Sequence, residues 1–600
     1  MEALMRNIRT PVLLAATLWL FACGAAGAQT ATEKAHALFD GYSEWQMREL
    51  PGYATMVGDH RYDDRLTDFS EAAIARRKAS VADFAKQLQG IDRNALANQD
   101  RISYDVLATV LDSNLRRSAV FSEPDAAGAD LWLDVTQFNG PQIGFAGLPS
   151  LIRVSRFSSI LDYENYIKRL AAVPAQLDQL TGGLRRAMAR GWLPPRVVVQ
   201  RVPSQIDALL TANLAANPLY APFERFPGSF APGDRERLAA MGRAVIADKV
   251  GPAFRALRQF YVAEYLPACS EAPGASVRPS WMKFYAAAVA SQTTTALTPR
   301  EIRDLGLKEV ERIGVEMDVV AKRVGFNGTR TDFANWIKSA PEFHYSSAAE
   351  MLAGYRDIAK RVDPELPRLF ADLPRLPYGI RAMDAAEGDN AEKYTRGTTD
   401  GTRAGYFEAN VNNLSRRAKG DMVTLLLHEG VPGHHLQSAR ALELRDLPAF
   451  RRQLFLPAYG EGWALYAESL GEELGLYGDP YAKFGYLSSE MFRACRLVVD
   501  TGIHAFGWTR EQAIRYLVDN AGITDATAIA EIDRYYVLPG QALAYKIGEL
   551  KIKVLRAKAQ AALGERFDIR RFHNALIDDG PLPLSVLEQR IDDWIARNRQ

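Results

Sequence analysis

Three of the chain's eight histidines fall within eight residues, His428-Glu429-Gly430-Val431-Pro432-Gly433-His434-His435. Imidazole is the commonest protein metal ligand, and a glutamate beside the first histidine is where zinc peptidases keep the base that takes a proton from water. The usual arrangement is H-E-x-x-H, in which histidines four apart share one helix face. Here the spacing is longer. In an unbroken helix His434 would be turned by about 240° from His428, and His435 would face the same way but about 10.5 Å further along the axis. Pro432 lacks an N–H and its ring clashes with the carbonyl of residue 428, so it forces a break that Gly433 can accommodate. If the two extra residues loop out, His434 takes the place of the second ligand; His435 is the alternative.

Two histidines leave a tetrahedral site one protein ligand short, with a further position for water. Glu461 fills that role. It opens Glu461-Gly462-Trp463-Ala464-Leu465-Tyr466-Ala467-Glu468, a segment of good helix formers. Glu468 follows on the same face two turns later, where it can hydrogen-bond a ligand histidine. The donor set of two imidazoles and one carboxylate favours a single zinc ion. The run Leu425-Leu426-Leu427 argues that His428 is buried, where an unpaired polar group is costly. His36, His60, His344 and His573 stand alone and read as surface or satisfied core residues.

The elements that must position these groups read as mostly helical. Apolar residues recur at three- and four-residue intervals through Glu71 to Leu88, Asn94 to Leu115, Tyr163 to Arg190, Gln205 to Asn217, Pro232 to Leu266 and Pro299 to Val324. Pro124 to Pro149 reads as a long irregular connection, and Leu373 to Gly405 as a second one. Tyr406 to Val411 suits a short strand, and Asp421 opens the apolar helix that delivers the histidines.

Of 600 residues 48% are hydrophobic and 24% charged, the balance of a packed protein, and 73 basic side chains against 72 acidic ones give no field to gather phosphates. Nucleic acid is therefore not an expected partner. The N-terminus carries Arg6 and Arg9, then an apolar run from Pro11 to Ala22, too short for a membrane span, and then Ala26-Gly27-Ala28. This is an export signal over residues 1–28, and the mature chain of 29–600 is periplasmic or secreted; lipidation at Cys23 is the alternative. The remaining thiols, Cys269 and Cys495, are too few for a disulfide framework.

The segments H-E-G-V-P-G-H-H-L-Q, E-G-W-A-L-Y-A-E and Y-Y-V-L-P-G-Q-A-L-A-Y-K-I-G together resemble the bacterial domain-of-unknown-function 885 family. That family is similar to the gluzincin peptidases of the thimet oligopeptidase and carboxypeptidase Taq types, with H-E-x-G-H followed by E-x6-E. Gly433-His434 matches the G-H, and Glu461 with Glu468 the spaced pair; the departure is a two-residue insertion before Gly433.

The resemblance implies a single mainly α unit, a two-lobed zincin-like (neurolysin-like) fold with a deep central cleft and a small β-sheet at the active site. An N-terminal helical part would run to about residue 300 and a metal-site part from about 301. It also implies hydrolysis of short peptides by metal-activated water, with Glu429 as general base and Tyr545 donating to the oxyanion. Tyr536 and Gln541 are candidates beside Tyr545, and His504 a candidate contact to substrate or intermediate. The strand with Tyr406 and Asn410, preceded by Arg403, would bind an extended peptide by main-chain pairing. A zinc hydrolase of another amide or ester, or a metal- or ligand-binding protein without turnover, are the competing classes.

Overall fold

The computed structural model describes residues 30–154, 157–211, 213–383, 391–398, 401 and 403–599. The expected export signal over residues 1–28, with Cys23, lies outside these. The described chain is mainly helical with a three-stranded sheet. Many helix starts are written locally. Thr298 accepts from the Glu301 N–H while Glu301 reaches back to the Thr298 N–H, and Ser159 with Asp162, Thr329 with Asp332 and Thr509 with Gln512 repeat the device, satisfying N–H groups that have no partner in the first turn.

Several boundaries differ from the sequence pattern. The Glu71 helix runs to Gln89, but the next begins at Asn98, after a 3-10 turn over Arg93–Ala95. The Tyr163 to Arg190 pattern is two helices, Ile160–Ala171 and Val173–Ala189, with Pro174 in the first turn of the second. Only Val202–Leu209 is α-helical in the next stretch. The segment expected to be irregular up to Pro149 contains the helix Pro141–Val154. Pro141 opens it, where a missing N–H costs nothing, so the proline marked a helix start and not a break.

The second expected connection, Leu373 to Gly405, holds two strands. β1 (Tyr378–Ala382) runs parallel to β3 (Gly405–Ala409), and β2 (Lys393–Thr395) runs antiparallel to β3 from the other side. Their pairing comes from a partner tens of residues away, which no local pattern displays. Phe407 in the middle of β3 is fully buried and packs edge-on against Tyr355 at 4.8 Å between ring centroids.

The main buried apolar cluster takes residues from Ala35 to Ile595. A smaller aromatic one gathers Trp132, Trp192, Trp281, Phe121 and Phe284. Cys269 and Cys495 are buried free thiols, and no described helix is long and apolar enough to cross a membrane.

Candidate metal centre

The apolar helix Met422–Glu429 buries Met422, Val423, Leu426 and Leu427 and ends on His428 and Glu429. Four residues turn the chain, and a second helix, His434–Glu443, begins on His434. The turn depends on Gly433: a Cβ there would lie 2.0 Å from the His428 carbonyl oxygen and 2.3 Å from that of Leu427, so any side chain would push the helices apart. Trp463 Nε1 donates to the Pro432 carbonyl at 2.9 Å, tying the turn to the helix Pro457–Ser469, which carries Glu461.

The break brings His434 to the same place as His428. The rings stand perpendicular with centroids 4.8 Å apart. Glu461 Oε2 lies 3.6 Å from His428 Nε2 and 3.4 Å from His434 Nε2, and one donor atom from each of the three residues falls within 4.8 Å of the others. Two ligands about 2.05 Å from a tetrahedral zinc are separated by about 3.3 Å, so the donor set and its spacing fit one such ion.

His435, one residue and about 100° further round, faces away. Its Nε2 donates to the Leu376 carbonyl at 3.0 Å, which leaves Nδ1 to accept from the Tyr394 hydroxyl at 3.1 Å. Burial pushes its pKa down to about 4, so it is a neutral strut between the helix and the sheet.

Glu468 is almost fully buried. It accepts from His428 Nδ1 at 2.7 Å and from the Thr424 hydroxyl at 2.6 Å, which fixes the ring and turns Nε2 toward Glu461. Burial pulls the pKa of the His428 imidazole down, but hydrogen bonds to Glu461 and Glu468 outweigh it and hold it at about 9. Burial would raise Glu461; the two imidazoles outweigh that and hold its carboxyl well below the usual range. Glu429 goes the other way, its pKa raised chiefly by burial against the opposing charges of His434 and His428. A raised carboxyl beside the ligands is suited to taking and returning a proton.

His428, Glu429, His434 and Glu461 line a cavity of about 1080 Å³, at the upper end of small-molecule sites. Tyr545 lines it as well; its pKa is raised chiefly by burial, with the Glu461 charge adding to the shift. The helices Pro457–Ser469 and Ala544–Leu563 approach backbone to backbone between them, since a Cβ on Gly462 would lie 2.4 Å from Gly548 Cα and one on Gly548 1.9 Å from the Ala458 oxygen.

Other expected site residues do not reach the cavity. His504 is buried with Nε2 on the Tyr535 carbonyl at 3.0 Å and its ring against Tyr285 and Trp281. It follows Arg493 by eleven residues on the long helix Pro480–Ala505, about 16 Å along the axis and past the cavity. Tyr536 packs beside it. Gln541 accepts from Arg534 at 2.7 Å and its amide is 3.5 Å from the Tyr545 hydroxyl, so it touches the site only through its neighbours. The expectation for Tyr406 and Asn410 is also corrected. β3 is the central strand with both main-chain edges paired, and β2 takes the place beside the cavity. Tyr406 lies under the Arg381 guanidinium at 4.3 Å, Asn410 accepts from the Asn412 N–H, and the Arg403 N–H donates to the Thr398 hydroxyl in a short turn.

Residues that the sequence reading passed over complete the walls. β2 contributes Lys393 and Tyr394, followed by Arg396. The helix Pro480–Ala505 contributes Arg493 and Arg496, and the helix Asp525–Val537 contributes Thr527, Glu531 and Arg534. The last three lie on one helical stripe, a signal masked by attention to the aromatic pair Tyr535-Tyr536.

A mainly helical protein with a His-His-Glu set on a cavity wall, His428 buried and His434 and Glu461 half-buried, with a carboxyl beside it, is the class defined by fold and site. The chain belongs to the family described as bacterial protein of unknown function (DUF885), whose model matches residues 51–591. It is similar to the crystal structure titled "the putative lipoprotein from Colwellia psychrerythraea", with 27% identity over 95% of this chain and 100% of that one and a TM-score of 0.87. It shares the fold of "a putative lipoprotein of unknown function from Shewanella oneidensis", at 17% identity over 94% and 99% of the two chains and a TM-score of 0.72. No curated protein matches the chain significantly.

Proposed function

We propose that the protein is an exported zinc-dependent metallopeptidase of zincin-like fold that hydrolyses short peptides. The observation that carries this reading is the convergence of His428, His434 and Glu461 on one point of the cavity wall with Glu429 beside them. A zinc ion held by these three side chains supplies a Lewis acid that makes water nucleophilic near neutral pH and polarises a carbonyl. Glu429 accepts the proton of the attacking water and returns it to the leaving amine nitrogen. Tyr545 donates its O–H to the developing oxyanion; unlike Tyr394, whose proton is committed to His435, it donates to no acceptor among the described residues and only receives a long contact from the Gln541 amide. Glu468 holds the His428 ring in place.

The cavity, larger than a typical metabolite pocket, supports an oligomeric substrate, and β2 is the strand beside it against which an extended chain would lie. The export reading rests on the N-terminal segment, and the description of the 27% identical Colwellia psychrerythraea protein as a putative lipoprotein favours it; a lipid on Cys23 remains the alternative anchor.

The test is metal content together with peptide-library hydrolysis on the purified mature protein, with Glu429→Gln and His434→Ala beside wild type. About one zinc per chain is expected. Hydrolysis should fall by about 10²–10⁴-fold in Glu429→Gln with zinc retained, and zinc should be lost from His434→Ala. A wild type that binds no metal and cuts no peptide would overturn the reading in favour of a ligand-binding protein, and cleavage of esters or other amides alone would move it to another hydrolase class.

A further inference from the structure

The cavity walls carry more positive charge than they neutralise. Arg417 is paired with Glu392 at 2.6 Å. Arg496 and Arg534 share one carboxylate, Glu531, at 3.0 and 2.8 Å, so that group of three is left with one net positive charge. Arg496 is only 5% exposed, its Nε is bonded to the Tyr535 hydroxyl at 2.9 Å, and its Nη1 is a buried donor with no partner.

Two more guanidiniums meet no carboxylate among the described residues. Arg493 donates to the Ser489 hydroxyl at 2.6 Å and weakly to the Ser489 carbonyl. It lines the same cavity as His428, Glu429 and Glu461. Arg396, on the β2 wall, has one long bond to the Arg452 carbonyl at 3.4 Å and an Nε without a partner. Burial pushes its pKa down, and the nearest titrating groups are the phenols of Tyr394 and Tyr53.

Arg396 and Arg493 are half-buried, and a guanidinium partly withdrawn from water without an anion is costly, a cost that a ligand carboxylate would relieve. These groups come from two different walls, so the excess surrounds the site and is not one surface patch. A bidentate fork matches a carboxylate, and such a bond made against a cavity wall is stronger than one in open solvent.

Resting on the peptidase reading above, we infer that the cavity selects anionic peptides, with Arg396 on one wall and Arg493 beside Arg496 on the other each receiving a substrate carboxylate. The carboxylates come from aspartate or glutamate side chains or from the peptide C-terminus; neutral and basic peptides leave the arginines unpaired.

The experiment measures binding separately from turnover. Zinc-loaded Glu429→Gln protein is titrated with a fluorescent acidic hexapeptide, with its Asn/Gln counterpart, and with the C-terminal amide of each. The acidic peptide should bind about tenfold or more tightly than its neutral counterpart, the effect of one charge-assisted pair, and the margin should shrink with added salt. Adding Arg396→Gln or Arg493→Gln should remove most of the margin, while Arg396→Lys restores part of it, with zinc content reporting that each variant is folded. Loss on amidation alone assigns the anion to the C-terminus; loss on Glu-to-Gln replacement assigns it to side chains. Equal binding of neutral and acidic peptides overturns the inference even if wild type cleaves them. Preferential binding without cleavage by wild type leaves it standing and sinks the peptidase reading instead.

Discussion

Two buried polar clusters lie close together in the C-terminal half, and they are built on opposite principles. Around Lys546, which has no exposed surface, Glu490, Glu549 and Glu309 approach its ammonium at 2.7, 2.7 and 3.0 Å, while Lys553 and Arg312 add contacts to the same carboxylates. Burial alone would lower the Lys546 pKa; the three carboxylates outweigh it and drive it up. Around His428 the carboxylates of Glu461 and Glu468 meet imidazoles instead. The first cluster carries its own permanent cations and pins three helices, Pro299–Arg323, Pro480–Ala505 and Ala544–Leu563. The second sets carboxylates against imidazoles, which can lose their protons, and under the proposal above a metal ion would supply its cation. The difference separates a structural charge network from a site, although both are buried, acidic and dense in hydrogen bonds.

The comparison breaks most directly at Lys546. Lys546→Met removes the central cation from Glu490, Glu549 and Glu309, leaving them only Lys553 and Arg312, and should cost about 3–5 kcal/mol in urea unfolding, equally with and without zinc. A loss that appeared only in the zinc-loaded protein would mean the two clusters are one unit. Chelation is the mirror experiment. Removing zinc should lower wild-type stability by about 4 kcal/mol if the ion was present at a thousand times its Kd, and should leave His434→Ala unchanged; an unaltered wild-type melt would put the second cluster in the structural class.

A third kind of buried carboxyl sharpens the contrast. Asp500 accepts from the Tyr285 hydroxyl at 2.6 Å and the Gly540 N–H at 3.2 Å, and burial raises its pKa to about 7. A folded pKa above the unfolded one stabilises the protein fully below about pH 4, and that contribution fades as pH rises through about 7, by up to roughly 4 kcal/mol. Asp500→Asn should flatten this decline; a wild-type profile no steeper than the variant's would show that Asp500 ionises normally. The smallest effect belongs to Glu468→Gln, which keeps the ligands but weakens the hold on His428. Competition with a chelator should show zinc affinity reduced by about 10- to 100-fold, and no change would make Glu468 a packing residue.

Much of the candidate metal centre could be read before the fold was known, because it is encoded locally. Pro432 and Gly433 announce a break, and the break decides which histidine turns inward. Glu461 and Glu468 are seven residues apart on one helix, so their shared face follows from periodicity alone. The walls of the cavity were not legible in the same way. Arg493, Arg496 and Arg534 reach it from helices whose mutual placement is a tertiary fact, and Arg396 follows a three-residue strand that exists only because β3 pairs with it. His504 shows the reverse error: a histidine on the same helix as two cavity arginines, carried out of reach by the length of that helix. The peptide-binding role expected of Tyr406 and Asn410 fell for a related reason, since a sequence can suggest a strand without revealing which strand is central.

The contact of Gly462 with Gly548 bears on how such a protein can diversify. One glycine follows Glu461 directly and the other lies three residues after Tyr545, so the backbones themselves gauge the gap between ligand and phenol. No series of larger or smaller side chains can adjust that gap by degrees, because the first methyl already collides. Under the proposed function, substitutions among the wall arginines would therefore alter which ligand is held while leaving the spacing of Glu461 and Tyr545 unchanged.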